Sequence, residues 1–242
     1  MSSFSCISKT KFQLPNSILN KIQGLDPVSF DRNDKLARNP IYRQLNKLVV
    51  SGIPIKIKIK ITDPDTKQTV EIDPPTLNKL RERYLVLKEQ WNTGYSPFKE
   101  QELPASMQKE VIDYLPSSLQ KLKPHVAIQS KMAIDGIVAP HRDHYRTASL
   151  FLLLEGNEEQ TVWWNKTDDF EEFDYFRFAD VTKISKIHTE IIEKNTWYVF
   201  DNYTYHSVHP GTQVGRRTAL CIEFNTLSAD ELYKEINDIR EM

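Results

Sequence analysis

The sequence predicts a mixed α+β protein in which a β-sandwich or jelly roll follows a largely helical first part. Two observations predict this class. Residues 15–25, 76–92 and 104–115 carry apolar side chains at helical spacing. From about residue 124 onward, short apolar or alternating segments are separated by turn residues, which is typical of sandwiches and jelly rolls.

The elements of the first part follow from local patterns. Pro15 stands at the first helical position of its segment, where a missing amide hydrogen is harmless. Residues 55–61 alternate isoleucine with lysine, and a polar turn separates them from residues 69–72. This pattern predicts a β-hairpin whose lysine face is solvated.

The second part is predicted to consist of strands and one closing helix. The strands are expected over residues 125–134, 149–154, 160–164, 184–192, 196–200 and 218–224. A capping-box pattern, Ser-Ala-Asp-Glu at 228–231, precedes an amphipathic helix. Because the chain has no repeat, low-complexity tract or Gly/Ser linker, we expect a single domain with three parts: 1–123, helical with one hairpin; 124–227, the β core; and 228–242, the helix.

Composition narrows the classes of function. The chain has 32 Lys+Arg against 33 Asp+Glu, so no overall field would attract nucleic acid or an anionic membrane. The longest apolar runs are far shorter than the roughly 20 residues of a membrane span, and the start has no apolar signal core. We therefore expect a cytoplasmic protein. Cys6 and Cys221 lie too far apart in sequence to suggest a disulfide framework.

The densest polar cluster is Pro-His-Arg-Asp-His-Tyr-Arg at 140–146. In an extended segment His141 and Asp143 point to the same side, so an imidazole and a carboxylate can converge. His206, in a later strand-like run, is the best third ligand, with His209 beside a Pro-Gly turn as the alternative. Two histidines and one carboxylate on one face are the ligand set of mononuclear non-haem iron(II) oxygenases.

Two segments resemble a known family. APHRDHYRTASLFLLL (139–154) and YVFDNYTYHSVHPGTQVGRRTALCIEF (198–224) are similar to the 2-oxoglutarate- and Fe(II)-dependent dioxygenases, especially the aspartyl/asparaginyl β-hydroxylase and proline 3-hydroxylase branch. The resemblance covers roughly residues 124–224 and implies a double-stranded β-helix, a cupin-like jelly roll. Some aspartyl/asparaginyl β-hydroxylases lack a carboxylate ligand, so the presence of Asp143 favours the proline-hydroxylase-like members.

The resemblance also implies roles for residues. His141, Asp143 and His206 would be the iron ligands, and an arginine would bind the distal carboxylate of 2-oxoglutarate through paired hydrogen bonds. The sequence context favours Arg217, whereas a ten-residue count from His206 reaches Arg216, and strand alternation lets only one of the two point inward. The implied reaction hydroxylates a C–H bond with O2, releases succinate and CO2, and is stimulated by ascorbate.

The substrate stays open at this level. Arg146 either holds a carboxylate or pairs with an acidic neighbour, and Asn202 and Trp164 either line the site or pack the strands. The expected substrate is an amino acid, a peptide or another small acid, without nucleic acid or membrane as a partner; a homodimer is an open alternative. The competing functions are another cupin-type metalloenzyme, such as a zinc hydrolase or an isomerase, and a non-catalytic jelly-roll binding protein.

Overall fold

The computed structural model describes residues 6–25, 29–30, 40–62, 67, 69–90, 99–131, 138–143, 146–170, 179–212 and 215–237. The helices are Asn16–Gln23 (α1), Pro40–Ser51 (α2), Pro74–Gln90 (α3), Ala105–Ile112 (α4), Ser117–Gln120 (α5) and Ala229–Asn237 (α6), with a 3-10 turn at Val181–Lys183. No helix within these ranges is long and apolar enough to cross a membrane.

The strands form two larger sheets and one separate hairpin. They are Ile7–Lys9 (β1), Ser29–Phe30 (β2), Ile59–Thr62 (β3), Thr69–Ile72 (β4), Lys99–Glu102 (β5), His125–Lys131 (β6), Val138–His141 (β7), Ala148–Glu155 (β8), Gln160–Lys166 (β9), Ile184–Ile191 (β10), Trp197–Asp201 (β11), Tyr205–His209 (β12) and Arg217–Phe224 (β13). The larger sheet has the order β1-β11-β8-β13-β6-β5-β2, the smaller sheet has the order β10-β9-β12-β7, and β3 pairs with β4.

The second part of the chain is shared between the two sheets. All its strand pairs are antiparallel. Strands β6, β8, β11 and β13 lie in the larger sheet, and β7, β9, β10 and β12 lie in the smaller one. The mixed α/β class is therefore confirmed, and this distribution is compatible with the expected jelly roll.

The expectation of a largely helical first part is not confirmed. Strands β1, β2 and β5 come from this part and extend the larger sheet. The predicted hairpin is present, but its first strand is Ile59–Thr62 rather than residues 55–61. Its partner, Thr69–Ile72, has four residues, so only three positions of the alternating segment, 59–61, find a partner, and Thr62 is the fourth paired residue.

The apolar run of β8 is buried on both faces. Leu150 and Leu152 pack with α1, α4 and the closing helix in one core, whereas Phe151 and Leu153 pack with Trp163 and Cys221 in a second core between the sheets. A strand that is covered on both sides needs no polar alternation. This explains why the cluster at 140–146 is followed by five consecutive apolar residues.

Two glycines fix the loop that leads into β13. A Cβ on Gly211 would come within 1.7 Å of the Asn157 carbonyl oxygen, and one on Gly215 within 1.6 Å of the Asn157 side-chain nitrogen. Asn157 belongs to the loop between β8 and β9, so it is wedged against the loop before Arg217. Only glycine leaves room for this contact.

We expect Gly211→Ala to lower the free energy of unfolding by about 1–3 kcal/mol, because the added methyl overlaps the Asn157 carbonyl, a backbone group that cannot rotate away as a side chain can. Gly24→Ala is the matched control, since its Cβ would meet the nearest atom at an ordinary 3.4 Å. Urea denaturation of the two variants checks this. Equal unfolding midpoints would show that Asn157 moves aside freely.

Candidate metal centre

Three potential metal ligands lie close together beside the pair of strands β7 and β12 in the smaller sheet. His141 ends β7 and His206 lies in β12, and the two residues are register partners across that strand pair. Their ring centroids are 4.5 Å apart. Asp143 follows β7 by two residues, and its backbone N–H donates to the Asn202 carbonyl at 3.0 Å, which holds the turn against the loop before β12.

The ligand atoms are close enough for a common ion. Asp143 Oδ1 lies 4.0 Å from His141 Nε2, and Oδ2 lies 3.9 Å from His206 Nε2. All three groups offer atoms within 4.8 Å of one another. Bonds of about 2.1 Å at right angles need ligand atoms about 3 Å apart, so each side chain would move inward by about 1 Å or less.

Backbone hydrogen bonds orient both imidazoles. His141 Nδ1 lies 2.8 Å from the Ala139 carbonyl oxygen, and His206 Nδ1 lies 2.9 Å from that of Thr204. A carbonyl only accepts, so each Nδ1 carries the proton and each Nε2 presents its lone pair to the cluster. Such a second hydrogen bond is what fixes the tautomer of a metal-binding histidine.

Burial and neighbouring charge set the protonation states that a metal requires. Burial lowers the pKa of His206, which favours the neutral imidazole. Burial, the largest single influence, would raise the pKa of Asp143, but the charge and hydrogen bond of Arg146 together with His206 and His141 outweigh it and hold that pKa well below its usual range. A neutral histidine and an ionised carboxylate are the forms that bind metal.

The lowered pKa of His206 predicts a pH effect on the metal-free protein. The unfolded state takes up a proton near pH 6.5 and the folded state only at lower pH, so stability falls as pH drops below 6.5. The loss is at most about 1.4 kcal/mol per pH unit. Urea denaturation with chelator at pH 7.5 and 5.5 checks this. His206→Gln should flatten the dependence, and an unchanged slope would contradict the assignment.

The two oxygens of Asp143 have different surroundings. Oδ2 accepts from Arg146 Nε at 2.7 Å and from Asn202 Nδ2 at 3.0 Å. Oδ1 accepts no hydrogen bond from the residues that the structure describes. Oδ1 is therefore the oxygen free to bind an ion. Arg146 also pairs with Glu223, so it contacts two acidic neighbours.

A cavity of about 50 Å³ adjoins these ligands. Its walls combine the site residues with apolar side chains: Gln129, His141, Arg146, Phe151, Thr161, Phe200, Asn202, His206, Val208, Arg217 and Ala219. Both sheets contribute to it. The cavity therefore joins the cluster to the first residue of β13.

Arg217 lies in this cavity, and Arg216 does not. Arg217 is 5 % exposed, its guanidinium lies 5.5 Å from the Phe151 ring centroid, and burial lowers its pKa. Its Nε is buried and has no hydrogen-bond partner among the described residues. Arg216 is exposed at the surface, 3.3 Å from Glu155. Strand alternation separates the two side chains.

Thr161 is a cavity residue that the sequence did not single out. It is fully buried, and its Oγ1 finds no partner in the described part of the chain. It is the register partner of Val208 on β12, two residues beyond His206. Nothing in the local sequence marks it, because its position depends on cross-strand pairing.

Two other candidates lie outside the cavity lining. Trp164 donates from Nε1 to Ser207 Oγ at 2.9 Å, and that oxygen is 3.0 Å from His209 Nε2. Ser207 and His209 flank the positions of β12 that face the cavity, so this group lies on the opposite face of the smaller sheet. His209 is thereby kept away from the cluster. Residue 144, a further histidine beside the cluster, falls outside the described ranges.

Comparison with known proteins gives no family. No protein-family model and no curated protein sequence matches the chain. Similar solved structures include vicilins from Corylus avellana (13 % identity, TM-score 0.32, 56 % of this chain and 30 % of that one) and Capsicum annuum (12 %, 0.33, 67 % and 43 %). The chain spans less than half the length of these vicilins.

Another similar structure is the non-heme alpha-ketoglutarate-dependent epimerase SnoN from nogalamycin biosynthesis. Its identity is 8 % and its TM-score 0.32, over 77 % of this chain and 74 % of that one. Likenesses this distant carry no argument about activity.

Proposed function

We propose that the protein is a 2-oxoglutarate- and Fe(II)-dependent oxygenase that hydroxylates a C–H bond of an amino acid, a peptide or another small acid. The observation that carries the proposal is Arg217. A buried guanidinium, whose Nε has no partner among the described residues, shares one cavity with His141 and His206, and these two meet the carboxylate of Asp143 in a suitable ligand geometry. A desolvated cation of this kind is stabilised by an anionic ligand.

The residues present fit both groups. His141, Asp143 and His206 would hold iron(II) through three positions and leave others open. Arg217 would pair with the distal carboxylate of 2-oxoglutarate, and Thr161 Oγ1 would donate to it. Bound together, iron, 2-oxoglutarate and dioxygen supply the oxidising power for the C–H bond and release succinate and CO2.

The protein itself supplies charge balance and a dry enclosure. Two neutral histidines and one carboxylate would leave a divalent ion with a net charge of +1, and Arg217 adds a positive charge that Glu159 offsets only in part. A dianionic 2-oxo acid would be attracted by both. Phe151, Phe200 and Val208 form apolar walls that keep water from the reacting groups.

We also infer that the eight strands from β6 to β13 form a double-stranded β-helix. Their division into β11-β8-β13-β6 and β10-β9-β12-β7 supports it, as do the ligands, which come from β7, the turn after it and β12. The motifs around His141 and Arg217 favour the branch of the aspartyl/asparaginyl and proline hydroxylases. The carboxylate Asp143 favours its proline-hydroxylase-like members.

A zinc hydrolase or isomerase is the competing enzyme, because two histidines and a carboxylate also suit catalytic zinc. Such an enzyme would give no role to the buried Arg217. The deciding experiment is a screen of amino acids, peptides and small acids that follows succinate formation with Fe(II) and ascorbate, and His206→Ala serves as the blank. Substrate-dependent succinate supports the proposal. Turnover with zinc and without 2-oxoglutarate would overturn it.

A further inference from the structure

Asp143 is held by two donors, and each donor is itself anchored in the larger sheet. Arg146 contacts Glu223 on β13, and Asn202 Oδ1 accepts from Ser149 Oγ on β8 at 2.8 Å. Glu223 and Ser149 are register partners on neighbouring strands. Asp143 is therefore held from the larger sheet through two connections, Arg146–Glu223 and Asn202–Ser149. We call these four residues the clamp.

The four residues of the clamp are all buried. Arg146 is 8 % exposed, Glu223 6 %, Asn202 2 % and Ser149 1 %. Gln129 Nε2 also donates to Glu223, at 3.2 Å, which fixes that carboxylate from β6. Buried polar side chains whose partners are all in place have little freedom to rotate.

Asp143 and Glu223 place two carboxylates around the guanidinium of Arg146. A divalent cation at Asp143 Oδ1 would be attracted by both carboxylates. The second carboxylate therefore favours metal binding by charge as well as by geometry.

We propose that Glu223 is a positioning residue for the metal site, rather than only a structural acid in the core. It holds Arg146, which occupies Oδ2 of Asp143 and leaves Oδ1 as the single oxygen presented to the ion. The carboxylate then takes one coordination position, and the positions needed for a chelating 2-oxo acid stay open. This inference rests on the proposed function, since it requires a metal at Asp143.

The test measures metal binding in the full-length protein. Glu223→Gln keeps an acceptor for Arg146 but removes the charge, and we expect it to weaken Co(II) binding, followed by calorimetry, by about 10–100-fold, as is typical for partners of metal ligands. The visible absorption of bound Co(II), which reports coordination, should change as well. Glu155→Gln, an exposed carboxylate at the end of β8, is the control and should match the wild type.

The outcomes separate the two proposals. If Glu223→Gln binds Co(II) within about twofold of the wild type and with the same spectrum, the positioning role is wrong while the metal site stands. If the wild type itself binds no divalent metal, both proposals fail. If Glu223→Gln does not fold, Arg146→Lys tests the same role, because lysine keeps the charge but cannot bridge both carboxylates as a guanidinium does. Unchanged Co(II) binding by Arg146→Lys would also overturn the positioning role.

Discussion

Arg217→Met is expected to raise the KM for 2-oxoglutarate by at least about 30-fold, while Co(II) affinity stays close to that of the wild type. Removing one partner of a buried charge pair costs about 2 kcal/mol or more, and each 1.4 kcal/mol corresponds to tenfold. The same change should alter the stability of the metal-free protein only slightly, because it removes a desolvated guanidinium but also the positive charge that interacts with the buried Glu159.

Arg216→Met is the matched control. Its guanidinium is exposed and paired only with Glu155 among the contacts described, and such surface pairs contribute about 0–1 kcal/mol. The KM for 2-oxoglutarate should therefore stay within a few-fold of the wild type. If Arg216→Met raises the KM for 2-oxoglutarate and Arg217→Met does not, Arg216 binds the cosubstrate and the assignment of the cavity is wrong.

His206→Ala is expected to lower divalent-metal affinity by more than about 100-fold and to reduce 2-oxoglutarate turnover to background. Loss of an outer partner already costs 10–100-fold, so loss of a ligand should cost more. His209→Ala is the control on the same strand, three residues on, because His209 contacts Ser207 on the opposite face. Calorimetry with Co(II) and succinate assays check both. Equal loss in the two variants would point to general unfolding.

The cluster of His141, Asp143 and His206 could be predicted from the sequence because the alternation of side chains along a strand is a local rule. His141 and Asp143 could be placed on one side from their i, i+2 spacing, and His206 from its strand-like surroundings. The sequence could not decide between Arg216 and Arg217, because a one-residue change in strand register exchanges the inward and outward side chains. In the structure, Arg217 is the one that lines the cavity.

Other features depended on partners that are distant in sequence. Lys99–Glu102 reads Lys-Glu-Gln-Glu, without an apolar pattern, and becomes a strand through its backbone pairing with β6. Thr161 and Glu223 owe their places to the pairings of β9 with β12 and of β13 with β8. Propensity is a weak guide where such pairing decides the outcome.

The most direct test of the central claim is a crystal structure of the protein with Mn(II) and 2-oxoglutarate, with the metal located by anomalous scattering. The account predicts one ion bound by Nε2 of His141, Nε2 of His206 and Oδ1 of Asp143, with the distal carboxylate of the 2-oxo acid on Arg217. An ion bound elsewhere, or these three side chains on separate surfaces, would contradict it.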